Sequence, residues 1–250
     1  LIFSRETHYV TKFFNKNDLD HFRSGSLHFG TLEWYSAEEN TAEQGARLDP
    51  EEGLFSATLY HSEPTVSNIR LPGILVDETS TIIVQGVKIG GTVNANLLCV
   101  SREAYSIDMH RSILCPSSNG YVGNPDLVGY VTFNTKKLLK AIYEISVRKF
   151  MLPRSENALP WLSAGCVLYR ERERIEHIQS GQMGISWDPI FCKPTIYSPE
   201  KEYRIIVNPD FPKPLQAGAD AFCLKGGEIL DAMCFEPRCI SDEERDAWLR

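Results

Sequence analysis

The stretch YSPEKEYRIIV, Tyr197 to Val207, sets two glutamates, Glu200 and Glu202, one residue apart and just ahead of the apolar run Ile205-Ile206-Val207. Side chains two apart on an extended chain point to the same side. Two carboxylates so placed repel, and one is driven toward protonation unless something needs both charges there. A glutamate at the mouth of a strand, beside a second carboxylate, can take a proton or stabilise a developing cation. Glutamate and lysine also guard strand edges against aggregation, and the segment alone leaves these two readings level. Arg204 falls on the side of Glu202 if the strand is regular, where it either holds the carboxylate ionised or forms a plain structural ion pair.

Other chemistry is thinly signalled. There is no GxxxxGK phosphate loop, no GxGxxG, no HExxH and no GxSxG. The histidines His8, His21, His28, His61, His110 and His177 show no metal-pair spacing, and each reads as structural. An acidic loop, SAEENTAEQGARLDPEEG, carries Glu38, Glu39, Glu43, Asp49, Glu51 and Glu52 and reads first as a solvated loop. Arg47 and Asp49 are the exception, because they sit at its most turn-like point. A metal-dependent nuclease would use Asp49 and Glu52 with Glu200 and Glu202 as ligands, but EKE lacks the ExK order of the common restriction-nuclease core.

The elements that must position these residues come from pattern. THYVTKFF reads as a first strand, NKNDLDHFRSG as a short helix ended by Gly25, and SLHFGTLEWY as extended again. LFSATLYH, TIIVQGVKI, NANLLCVS and LVGYVTF are strand-like. NTKKLLKAIYEI is the clearest helix, capped at Asn134 or Thr135, with Leu138, Leu139, Ile142 and Ile145 at helical spacing. CVLYRERERI reads as an edge strand with Arg170, Arg172 and Arg174 outward, EILDAMCF as a strand, and Ser241 as the start of a last helix. The sum is one α+β domain, residues 1–250, mostly strand with few helices.

Composition agrees: 250 residues, 42% hydrophobic and 24% charged, is ordinary globular usage. A net charge of -7 disfavours non-specific nucleic-acid binding, although Arg170, Arg172, Arg174 and Lys136, Lys137, Lys140 offer local basic faces. The odd number of cysteines, 7, without CxxC spacing reads as reduced thiols, with Cys234 and Cys239 able to bridge in an oxidising compartment. No apolar stretch is long enough to span a bilayer, so a cytoplasmic location is expected, and the absence of an initial Met suggests that residue 1 is not the natural start.

Four segments, in order, carry a resemblance: HYVTKFFNKNDLDHFRSGSLHFG, LLCVSREAYSIDMHR, GYVTFNTKKLLKAI and FCKPTIYSPEKEYRIIV. Together they resemble the ADP-ribosyltransferase-like superfamily. They are similar to a family of uncharacterised bacterial proteins with a C-terminal E-x-E-Y-R motif and, more distantly, to DNA-targeting toxins whose first strand carries His-x-Thr. The resemblance implies two packed, mainly antiparallel sheets and NAD as co-substrate, with no metal. It implies an ADP-ribosyltransferase that releases nicotinamide and modifies a protein or nucleic-acid acceptor, as a toxin or phage-defence effector with an antitoxin or inhibitor as partner. Tyr9, Thr11 and Lys12 on the first strand, Ser101 in CVS, Arg204 and Arg47 are the implied NAD contacts. Glu202 is the implied catalytic carboxylate, with Glu200 as the earlier member of the pair. Tyr9 stands where the toxins have His, and MHR replaces Met-Trp. On this reading Glu202→Gln abolishes nicotinamide release with little loss of stability.

Overall fold

In the computed structural model, which describes residues 7–32, 54–60, 85–92, 95–152, 161–170, 188–209 and 221–250, the apolar alternation near the start is a strand. This strand, β1 (Tyr9–Phe14), turns Val10 and Phe14 into the main core and Phe13 into a smaller cluster on the other face. A 3-10 turn (Lys16–Asp18) and helix α1 (Leu19–Arg23) follow, with Phe22 buried. The chain reverses at Gly25, whose φ is +68° and where a Cβ would lie 2.6 Å from the Gly226 carbonyl oxygen, so only glycine fits. Strand β2 (Ser26–Thr31) comes next. Strands β3 (Leu54–Tyr60) and β4 (Gln85–Thr92) pair antiparallel with each other, and β5 (Asn96–Ser101) enters the main sheet.

Helix α2 (Ile107–Leu114) is capped by Ser106, whose hydroxyl accepts from the Met109 N–H. Strand β6 (Gly129–Asn134) runs straight into helix α3 (Thr135–Phe150), with the Asn134 side chain accepting from the Lys137 N–H at 3.0 Å. Then come β7 (Leu162–Cys166) and β8 (Leu168–Arg170), a 3-10 turn (Asp188–Phe191), β9 (Cys192–Pro194), a second 3-10 turn (Thr195–Glu200) and β10 (Glu202–Val207). Strand β11 (Phe222–Lys225), helix α4 (Gly227–Ala232), β12 (Arg238–Cys239) and helix α5 (Asp242–Leu249) close the described chain. The expected helix start at Ser241 is a full capping box with Glu244.

Two expectations change. EILDAMCF is not a strand: its first part is α4, because Ile229 and Ala232, three apart, bury together against the core that α3 covers. Nor, among the described residues, do the strands divide into two packed sheets. Among the described residues they form one branched eight-stranded sheet in the order β11-β2-β5-β1-β6-β12, with β10 on the other edge of β5 and β7 beyond it, plus two separate strand pairs. The fold is thus mixed α and β, mostly antiparallel, with few helices.

The branch is at β5. Along one edge it pairs with β10 throughout, from Asn96 opposite Val207 to Ser101 opposite Glu202. Its other edge is divided: Asn96 and Leu97 pair with β2, and Ser101 pairs with Thr11 of β1. Between these contacts β1 and β2 diverge and the sheet opens. Leu98 and Val100 of β5 and Tyr203, Ile205 and Val207 of β10 bury on the face covered by α3. The opposite face carries two smaller apolar groups, Phe13, Met109, Ile113, Leu114 and Leu127 on one side, and Leu32, Leu97, Ile190 and Ile206 on the other. All seven cysteines are free thiols. No helix among the described residues is long and apolar enough to cross a membrane.

Candidate functional site

Register sets a row of polar residues across the branch. Thr11 lies opposite Ser101 in the β1–β5 pair, and Ser101 lies opposite Glu202 in the β5–β10 pair. Directly opposed residues present their side chains to the same face of a sheet, so β1, β5 and β10 bring three separated segments to one place. Alternation adds Phe13, Cys99 and Arg204 on that face. The result is a cleft of about 100 Å³ lined by Thr11, Lys12, Ser101, Lys193, Glu200, Glu202 and Arg204, with Phe13, Cys99, Val100 and Ile113 as its apolar walls. Whole-ligand sites typically run to roughly 300–1,000 Å³, so the described walls accommodate one ring-sized group.

The floor of the cleft is a buried ionic cluster. Arg204 is completely buried, yet its Nε donates to Glu202 Oε1 at 2.7 Å and its Nη1 donates to the Ile190 carbonyl. Lys193 Nζ lies 2.8 Å from Glu200 Oε2 and 3.1 Å from Glu202 Oε2. Two carboxylates and these two cations balance, and Lys12 brings one further positive charge to the cleft. Burial alone raises the Glu202 pKa. The Arg204 guanidinium and the Lys193 ammonium outweigh it, with help from a Cys99 thiol hydrogen bond, and hold the carboxyl well below its usual 4.5. Lys12 reaches the cleft through the opening in the sheet: its Nζ donates to the Cys99 carbonyl at 2.9 Å, within the stretch of β5 that lies between its pairings with β2 and β1.

Both hydroxyls of the row are also tied down. Thr11 Oγ1 bonds the Glu103 carbonyl at 2.8 Å and the Thr132 hydroxyl at 2.9 Å. Ser101 Oγ donates to the Glu200 carbonyl at 2.8 Å. That bond fixes the backbone at the turn, where Lys201 adopts a left-handed conformation with φ 45°. The turn matters because Glu200 is not extended. It ends a 3-10 turn, and the reversal at Lys201, braced by the Arg102 N–H to Lys201 carbonyl bond at 2.9 Å, lets both carboxylates meet Lys193. Tyr169 supports the strand mouth: its hydroxyl accepts from the Glu202 N–H at 2.7 Å, and burial, then the charge of Glu202, push the phenol above its usual 10.

Of the residues singled out in the sequence, Thr11, Lys12, Ser101, Glu200, Glu202 and Arg204 meet in this cleft. Tyr9 does not. It sits at the start of β1 opposite Asn134, is 45% exposed and is absent from the cleft walls. Arg47, Asp49 and Glu52 lie outside the described residues. Lys193, Cys99 and Tyr169 were not assigned roles from sequence. Lys193 does stand at the head of the quoted FCKPTIYSPEKEYR segment, nine residues before Glu202, which is the one signal that pointed to it.

Comparison with known proteins returns no matching family model, no matching curated protein and no matching solved structure.

Proposed function

We propose that the protein is an ADP-ribosyltransferase-like enzyme that transfers ADP-ribose from NAD to a macromolecular acceptor, protein or nucleic acid, with release of nicotinamide. The observation that supports this best is the row Thr11–Ser101–Glu202, which joins the three strands such a site requires at the opening of one sheet. Part of NAD fits the cleft. Thr11 and Ser101 would border the nicotinamide-bearing ribose and Lys12 would supply positive charge toward the pyrophosphate, while Arg204, fully buried against Glu202, acts by keeping that carboxylate ionised. In NAD the ribose is bonded to a cationic nicotinamide ring; as that C–N bond breaks, nicotinamide would leave neutral and the positive charge would pass to the sugar, which the acceptor's nucleophile then captures with loss of its proton. Glu202, kept ionised by its partners, favours that charged state over the ground state. A fixed group of this kind contributes roughly 3–4 kcal/mol. Glu200, the more open carboxylate, faces the acceptor side; its side chain is 14% exposed against 5% for Glu202.

The test is nicotinamide release from NAD by the purified protein. The wild type should release it and Glu202→Gln should not, with both shown to be folded at the assay temperature. A wild type that neither hydrolyses NAD, nor labels a lysate component, nor shifts its melting temperature with NAD would sink the reading. EDTA separates the metal-dependent nuclease, which must lose activity, from the transferase, which keeps it. An activity of this kind in a toxin or phage-defence effector needs an inhibitor or antitoxin, and its expression should be toxic unless Glu202 is replaced.

A further inference from the structure

Lys193 is a costly residue in its position. Its side chain is only 6% exposed, and a buried ammonium is retained only where it is paired and hydrogen-bonded. The mounting is correspondingly elaborate. Strand β9 carries Lys193 and pairs parallel with β8, placing Lys193 opposite Tyr169, the residue whose hydroxyl holds the Glu202 N–H. The Tyr197 ring lies 4.6 Å from its ammonium. Arg204 already answers the charge of Glu202. What Lys193 adds is contact with both carboxylates at once, at 2.8 and 3.1 Å.

We infer that Lys193 is a positioning residue of this site, holding Glu200 against Glu202 so that the cleft presents the two carboxylates side by side on its floor. The inference rests on the proposed function only for its catalytic consequence. The geometry stands apart from it. The charged and titratable groups around Lys193 are Glu200, Glu202, Arg204, Lys12, Tyr169, Tyr197 and Cys99. Loss of Lys193 removes its salt bridges to both carboxylates, leaving Arg204 on Glu202 and Lys12 elsewhere in the cleft. The Glu200 backbone stays anchored by Ser101, but its carboxylate loses the cation it shares with Glu202 and swings away from it.

The experiment uses Lys193→Met, Lys193→Arg, Glu200→Gln and the double variant Lys193→Met/Glu200→Gln. Without any ligand, Lys193→Met should lower the melting temperature, and adding Glu200→Gln should recover most of that loss. Additive losses, or a double variant that fails to fold where Glu200→Gln alone folds, overturn the inference. With NAD, Lys193→Met should cut kcat for nicotinamide release by about 10²-fold, the cost of a misplaced group of roughly 1 Å. KM should change little, and Lys193→Arg should restore most of the rate. Unchanged kcat in a folded Lys193→Met protein, or a change confined to KM, also overturns it. If the wild type releases no nicotinamide, the proposed function fails while the melting cycle still decides the role of Lys193.

Discussion

Glu202 shares its burial with two cations, an arrangement that costs desolvation to build and costs more to interrupt. Removing one member of a buried ion pair strands the other charge in a poorly solvated place, at a cost of roughly 3–5 kcal/mol. Arg204→Ala also orphans the Ile190 carbonyl that Arg204 serves, so urea denaturation should show a loss in that range. Arg204→Lys should lose less, since it keeps the charge but not the fork that reaches both partners. The same logic revises the expectation that Glu202→Gln costs little stability: it leaves Arg204 and Lys193 short of a counter-charge, so a melting control belongs beside every activity measurement on it. At this scale much of the site was legible. Strand alternation is enough to group Glu202 with Arg204, whereas Thr11 and Ser101 come into view only through the resemblance to ADP-ribosyltransferase-like proteins. Lys193 escaped because a 3-10 turn and a left-handed Lys201 separate it from the glutamates. Alternation also gives the wrong reason for the Glu200–Glu202 pairing: a backbone reversal, not a shared strand face, brings them together.

Elements divide between those that carry local signals and those defined by their neighbours. The strand at Tyr9–Phe14, the helix after Asn134 and the capping box at Ser241 are written in side-chain periodicity and caps, and they form as the sequence indicates. Helix α4 and the branched sheet are not so written. The segment EILDAMCF has strand-like apolar content, but its burial against α3 selects a helix, a tertiary preference that overrides propensity. That β5 pairs with three other strands is a non-local fact, invisible in its six residues. It makes β5 the element on which site assembly depends. Leu98 is 1% exposed and lies opposite Ile205 of β10, in the stretch of β5 between its pairings with β2 and β1. Leu98→Ala should therefore cost roughly 2–5 kcal/mol. It should do so as a lower denaturation midpoint at unchanged slope, and with a weaker response to NAD at temperatures where the variant is still folded. A cost below 1 kcal/mol would mean that the branch is held elsewhere.

Across the whole molecule, acidity tests whether these buried groups govern stability. His110 is completely buried, with Nε2 2.7 Å from the Leu127 carbonyl and its ring packed against Phe13, Tyr105, Tyr130 and Trp248. Burial lowers its pKa below the usual 6.5, outweighing the Leu127 carbonyl and the charge of Glu244, which act the other way. The unfolded chain therefore takes up a proton at His110 before the folded one does. That drains stability as the pH falls below about 6.5, and the loss ends below the folded pKa. Glu202 follows. Its folded pKa is also depressed, from 4.5, so the unfolded state again binds the proton first, and this contribution, present above about 4.5, disappears as the pH falls toward the folded value. Melting temperature followed from pH 8 to pH 3 should fall in two stages. His110→Gln should flatten the first stage and leave the second, and Glu202→Gln should do the reverse. Phe13 and Ile113 belong both to the apolar group around His110 and to the cleft wall, so the first stage should also weaken any NAD-dependent rise in melting temperature. A single acid transition that neither substitution alters would place the control of acid stability in the exposed carboxylates instead.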